Sequence, residues 1–401
     1  MTNKILIRSD NVFDGENFLG RREILVKDGK ILEVGSGISC DNRIELGDEF
    51  VSPGFVDAHI HISGVKLSSI PESFFYETAP ARMLSTIPIL KKILFSGFTT
   101  VRECGDYHGV YLRDAVNAGY IEGPRIIAAG SPLTQTFGHG ELSHVLPAET
   151  QSGLFGMVCD GVDDCIKASR TVLRQGSDFI KIFTTGGALS QSDSPYHEQF
   201  TLEEIRAIVK EAKKAGTYVA AHAEGDAGIR NAIEGGVSFI EHGFLANEET
   251  ILLIAERNIP LTPTLSVLEQ INELGEKGAL PKPTLEKLQP LRQHARTVVP
   301  RAQKAGIKIL AGTDLIGSTG LDIDYGNNWM EMVLLNKLGG LSELEALRAA
   351  TGNCSVLGKK VGRLAPGYDA DIISINGNPL EEIADASKVA MVMKGGSIVK
   401  K

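Results

Sequence analysis

Val56-Asp57-Ala58-His59-Ile60-His61-Ile62-Ser63-Gly64 follows the run Val51-Ser52-Pro53-Gly54-Phe55 and sets two histidines one residue apart. The preceding run reads as a turn feeding a strand. Side chains i and i+2 of a strand share a face, so His59 and His61 aim the same way. Two neutral imidazoles at a strand end can grip one metal ion. The plain alternative is two histidines on the wet face of a surface strand.

The rest of the chain bears on that choice. Short apolar runs at 55–61, 98–102, 125–129, 178–183, 218–222, 238–242, 260–264 and 307–314 alternate with helical stretches. The clearest helix spans 202–215, with Thr201 as N-cap, Glu204 completing a capping box and Gly216 as a stop. A shorter one runs from about 226 to 234. Another begins after Thr284 and ends at Gly306, with Pro290 and Pro300 expected to kink or break it. Eight βα units predict an α/β fold, a (β/α)8 TIM-type barrel over residues 55–359, in preference to a doubly wound open sheet. Residues 1–54 and 360–401 carry short β-rich runs and little helix signal. Chain termini often lie close together, so these two segments are predicted to form one small β-sandwich domain.

Bulk properties narrow the function. The 401 residues are 42% hydrophobic and 23% charged, ordinary for a globular protein, with a formal charge of −9. Acidic and basic residues are mixed, which argues against a nucleic-acid partner. Five scattered cysteines without a CxxC pair argue against a disulfide framework or a cysteine zinc site. No secretory signal is evident, and no apolar stretch approaches the roughly 18 residues needed to cross a bilayer. The expectation is a cytoplasmic protein with a small-molecule substrate and no membrane partner; homo-oligomerisation is left open.

In such a barrel the chemistry sits at the C-terminal strand ends. Strand one ends at His59 and His61, strand five at His222, strand six at His242 and strand eight at Asp314; strand four carries Lys181 inside an apolar run. Singly these have dull readings: a snorkelling lysine, a core histidine, a helix-capping aspartate. Together they place four imidazoles, a carboxylate and a lysine on one rim. The histidines and Asp314 can hold two zinc-like divalent ions but leave them without a bridging anion. Burial disfavours the ammonium form of a lysine, and a neutral amine can add carbon dioxide to give a carbamate. Such a group on Lys181 would bridge ions roughly 3.5–4 Å apart.

The set VSPGFVDAHIH, DFIKIFTTGG, VAAHAEG, FIEHG and LAGTD resembles the amidohydrolase superfamily in its binuclear, carboxylated-lysine subtype. Residues 362–372, GRLAPGYDADI, are similar to the segment with which that family returns to its small β domain. The likeness runs over nearly all of the chain. Residues 179–243 most resemble the prolidase-like and arginine-carboxypeptidase-like branch, as do Gly138-His139-Gly140 and Thr262-Pro263-Thr264. Phe137 departs from the branch's usual GGHG. The resemblance implies that His59, His61 and Asp314 hold the more buried metal, that His222 and His242 hold the other, and that carboxylated Lys181 bridges them. It implies a metal-bridging hydroxide as nucleophile, Asp314 as proton carrier and His139 as a donor to the scissile carbonyl. Glu224 is left between binding a cationic substrate group and facing water. His144 reads as a loop histidine near the mouth, His108 and His197 as βα-loop residues and His294 as exposed. Gly186-Gly187 lies in no phosphate-loop motif.

The expected function is metal-dependent hydrolysis of amide bonds in dipeptides or N-acyl amino acids, releasing the C-terminal residue. Cyclic-amide or aryl-amide hydrolysis on the same scaffold is the alternative, and a catalytically silent binding barrel the non-enzymatic one.

Overall fold

The apolar runs at the chain ends fold together because neither can bury its own apolar face alone. The computed structural model describes residues 4–62, 64–66, 76–141, 156–189, 193–280 and 282–401. Five strands come first: β1 (Lys4–Phe13), β2 (Phe18–Lys27), β3 (Lys30–Gly35), β4 (Arg43–Glu45) and β5 (Phe50–Pro53). After them run β6 (Phe55–Ile60), β7 (Phe98–Glu103), β8 (Arg125–Ala128), β9 (Leu133–Thr134), β10 (Met157–Val158), β11 (Ile180–Phe183), β12 (Val219–Ala223), β13 (Phe239–His242) and β14 (Leu261–Thr262). The last three are β15 (Ile372–Ile375), β16 (Val389–Lys394) and β17 (Ser397–Lys400).

Strands of both termini share one eight-stranded sheet, ordered β17-β16-β15-β5-β1-β2-β3 with β4 on β1. β5 is the seam, parallel to β1 and antiparallel to β15. Ile7, Val12, Ile24, Ile31 and Val51 from the first segment pack with Leu364, Ile372, Met391 and Met393 from the last.

Between them lie two all-parallel sheets, β6-β7-β8 and β10-β9-β11-β12-β13-β14. Every residue of β6, β7, β11, β12 and β13 is buried, as expected of parallel strands covered on both faces. The sheets approach each other at both edges: Asp178 N–H donates to Ala128 O at 2.8 Å. At the other edge, residues 307–314 lie between β14 and β6. There Leu310 N–H donates to Leu261 O at 2.9 Å, and Ala58 N–H to Ala311 O at 2.8 Å.

Seven of the eight expected runs contain a strand. The eighth, 307–314, makes only an isolated bridge between Ile309 and Leu261. Its far end leaves the extended conformation at Asp314, with φ 52°. Gly312 allows the close approach there, since a Cβ would stand 2.7 Å from the His59 Cβ.

Helix Leu202–Lys214 starts as expected: the Thr201 hydroxyl accepts from Glu204 N–H while the Glu204 carboxylate accepts from Thr201 N–H. The helix expected after Thr284 begins earlier, at Lys282, and continues to Lys304 through both Pro290 and Pro300. Burial of Leu288, Leu291, Ala295, Val298 and Val299 offsets the backbone hydrogen bonds that the two prolines remove. Among the described residues no helix is long and apolar enough to cross a membrane.

Candidate active site

Strand alternation brings His59 and His61 to one face at the end of β6, and they meet Asp314 from the segment beside it. Asp314 Oδ1 stands 3.3 Å from His59 Nε2 and 3.1 Å from His61 Nε2. One donor atom from each of the three lies within 4.8 Å of the others. Lys181, in the middle of β11, brings Nζ to 3.4 Å from His59 Nε2. His242, the last residue of β13, has its ring centroid 5.2 Å from that of His59 and 4.5 Å from that of His222 on β12. All six side chains expected to converge do so, and all are buried.

The outward nitrogens of the rings are engaged. His59 Nδ1 is 2.8 Å from Glu241 Oε2, His61 Nδ1 is 2.9 Å from Gly105 O, and His242 Nδ1 is 2.7 Å from Thr264 Oγ1. His222 engages its Nε2 instead, 3.2 Å from Gly186 O. His59 and His61 thus turn their Nε2 atoms to Asp314, with the other nitrogen held by a partner as in metal-binding histidines. Burial, with neighbouring His139, pushes His222 well below the usual imidazole range, and burial does the same to His242 despite the Asp314 carboxylate. Both stay neutral, as ligation requires. Burial also opposes charge on His59, but Cys104, Asp314 and Glu241 together raise it well above that range; a cation bound there displaces a proton. Burial resists ionisation of Asp314, and His59 and His61 still hold its carboxyl well below the carboxylate range. An imidazole-rich set with one anionic carboxylate and a nearby amine fits a divalent transition ion.

The backbone is strained where these groups converge. His242, Thr264 and Asp314 all adopt positive φ, at 73°, 49° and 52°. For a β-branched residue such as Thr264 this is rare, and it persists only where the surrounding structure enforces it.

His139 lies on the open side. Its ring stacks on that of His222 at 4.5 Å and 23°, and its Nδ1 is 3.1 Å from Asp193 Oδ2. The ring fits over Gly187, where a Cβ would come within 2.4 Å of it. Phe137, two residues before, has φ 63°, a conformation that glycine takes without steric cost; the residue is 53% exposed. Elsewhere, His108 is buried beside Asp106, and His197 and His294 are exposed. His144 lies outside the described residues.

Three supporting groups carry no obvious mark in the sequence. Asp57 accepts from His59 N–H, from both the amide and hydroxyl of Thr313, and from Asn328. It thereby ties the His59 strand to the Asp314 segment. Glu241 joins His59 to Arg102, which is itself fully buried and donates to Ala58 O. Burial opposes charge on Glu241, but Arg102 and His59 hold it well below the carboxylate range. Asp193 orients His139. The available signal for the first two is the one that marks Lys181: a charge inside a fully buried strand. Arg102→Ala leaves Glu241 buried without its closest cation, opposed by His59 and more weakly by Lys181. We expect a loss of about 3–5 kcal/mol, read as a lower urea midpoint with unchanged m-value; a shift under 1 kcal/mol would show that the pair contributes little.

Comparison with known proteins agrees with this geometry. Residues 50–399 match the model of the amidohydrolase family. Ochratoxinase of Aspergillus niger is 33% identical over 372 residues, covering 87% of this chain and 75% of that protein. A prolidase structure complexed with N-methylphosphonate-L-proline is 30% identical with a TM-score of 0.89, covering 100% of each chain. A Xaa-Pro dipeptidase structure with bound methionine in the active site is also 30% identical, with a TM-score of 0.90 and the same coverage. The chain belongs to the amidohydrolase family, in its prolidase-like branch. It is a hydrolase acting on amide bonds.

Proposed function

We propose that this chain hydrolyses dipeptides or N-acyl amino acids, releasing the C-terminal residue, at a binuclear metal centre. The observation that carries the reading is the contact of one carboxylate, Asp314, with two imidazoles whose first member also touches a buried lysine amine. The prolidase and dipeptidase likenesses support the substrate class. His59, His61 and Asp314 would hold one ion and His222 and His242 the other, with Lys181, as a carbamate, the remaining anionic ligand. Zinc is the default for so many imidazoles. The ions supply a Lewis acid and lower the pKa of bound water towards neutrality.

The protein's own groups do the rest. The neutral Lys181 Nζ lone pair adds to the carbon of CO2 as one C=O π bond opens onto oxygen, and an Nζ proton passes to water, giving a planar carbamate anion. Asp314 takes the proton of the attacking water and delivers it to the leaving amine. His139, with Nδ1 turned to Asp193, directs Nε2 at the scissile carbonyl and stabilises the charge growing on its oxygen. We further read residues 55–359 as a closed (β/α)8 barrel and residues 1–54 with 360–401 as a small β-sandwich domain. The hydrogen bonds at both edges of the parallel sheets and the Arg102–Glu241 pair between them support closure.

Screening the metal-loaded protein against dipeptides and N-acyl amino acids tests this: release of C-terminal amino acid is expected, and no turnover across the set would refute it. His139→Ala is expected to keep its metals and lose roughly 10²–10³ in kcat, the effect of one oxyanion donor. An unchanged kcat would leave His139 a packing role only.

A further inference from the structure

Glu224 is a buried carboxylate with an empty side. It follows His222 by two residues at the end of β12, so the two side chains share a face. Oε1 stands 3.9 Å from His222 Nε2, and among the described residues Oε2 has no hydrogen-bond partner although Glu224 is only 5% exposed. Its main chain is held on both sides: its N–H donates to Thr185 Oγ1 at 3.0 Å, and its carbonyl accepts from Leu245 N–H at 3.0 Å. The backbone is therefore fixed at this point, and the side chain leaves it beside the His222 ring.

The charged neighbours do not fill that side. Burial, with the Asp193 and Asp314 carboxylates, pushes Glu224 well above the usual carboxylate range, and Lys287 offsets this only in part. Lys287 Nζ is directed at Asp193, donating to its carbonyl and lying 3.9 Å from Oδ1. A buried acceptor without a donor is costly unless a ligand supplies one. Resting on the amide-hydrolase reading above, we infer that Glu224 binds the protonated α-amino group of the substrate, which makes free dipeptides the preferred class over N-acyl amino acids. Its place 3.9 Å from the ring of His222, a proposed ligand, favours this cation. An α-ammonium nitrogen lies about 2.5 Å from the carbonyl carbon, by bond lengths and angle, whereas a lysine or arginine side chain carries its charge several bonds farther away. Glu224 adjoins His222, on which His139, the proposed carbonyl donor, is stacked.

The test uses the metal-loaded full chain and matched substrates: alanyl dipeptides, and isobutyryl amino acids in which a methyl group replaces the ammonium. The wild-type protein is expected to favour the dipeptide in kcat/KM by about 10- to 100-fold, the scale of one charge-assisted hydrogen bond. Glu224→Gln should collapse that ratio, and Glu224→Asp, which keeps the charge, should retain part of it. Equal wild-type kcat/KM for the pair, or a ratio unmoved in Glu224→Gln, would overturn the inference. If wild type hydrolyses neither, the amide substrate reading fails by itself, and calorimetric binding of the dipeptide decides the subsite. Binding about tenfold weaker in Glu224→Gln upholds it, and equal binding overturns it.

Discussion

We expect His59→Ala to abolish turnover and to lower metal content while the fold survives. His59 Nε2 sits between Asp314 and Lys181, at 3.3 and 3.4 Å, so the proposed ion loses the donor nearest its bridge. Removing the ring also frees Glu241 Oε2, but Oε1 keeps its ion pair with Arg102, which limits the loss of stability. His242→Ala acts on the second ion in the same way. Metal analysis after dialysis should give about two ions per wild-type chain, as a binuclear site requires, and clearly fewer in either variant. Circular dichroism checks that the fold is retained. A variant with wild-type metal content and rate would remove that histidine from the ligand set.

Lys181→Ala is equally severe, for a different reason. The residues around Lys181 on β11 are Ile180, Ile182 and Phe183, none of them anionic, so the strand offers no other bridging group. The variant should lose turnover and bind its ions more weakly. A short acid such as formate or acetate fits the vacated volume and carries the missing charge, so millimolar additions should restore part of the rate. Full activity of Lys181→Ala without added acid would show that nothing need bridge there.

The convergence of the six candidate side chains was readable because five of them lie in or just past a buried strand, where period-two alternation assigns direction; Asp314 follows a segment that makes only an isolated bridge. The strand runs and the Thr201–Glu204 cap were readable for the same local reasons. What stayed hidden depends on neighbours distant in the chain. Arg102 and Glu241 lie on strands of different sheets, and only three-dimensional closeness makes them partners. Asp57 reaches Thr313 and Asn328 across more than 250 positions. The left-handed backbone at His242, Thr264 and Asp314 carries no residue signature, since glycine is the only strong marker of positive φ. Pro290 and Pro300 misled because helix Lys282–Lys304 draws its stability from buried contacts as well as from its backbone.

The central claim is a carbamate-bridged pair of ions on these side chains. A crystal structure of the active, zinc-loaded protein grown with bicarbonate, with anomalous data at the zinc edge, tests it most directly. The account predicts two anomalous peaks roughly 3.5–4 Å apart, one against His59, His61 and Asp314 and one against His222 and His242. Density at Lys181 should continue past Nζ into a planar group touching both. Active, metal-loaded protein with a bare Lys181 amine would contradict it.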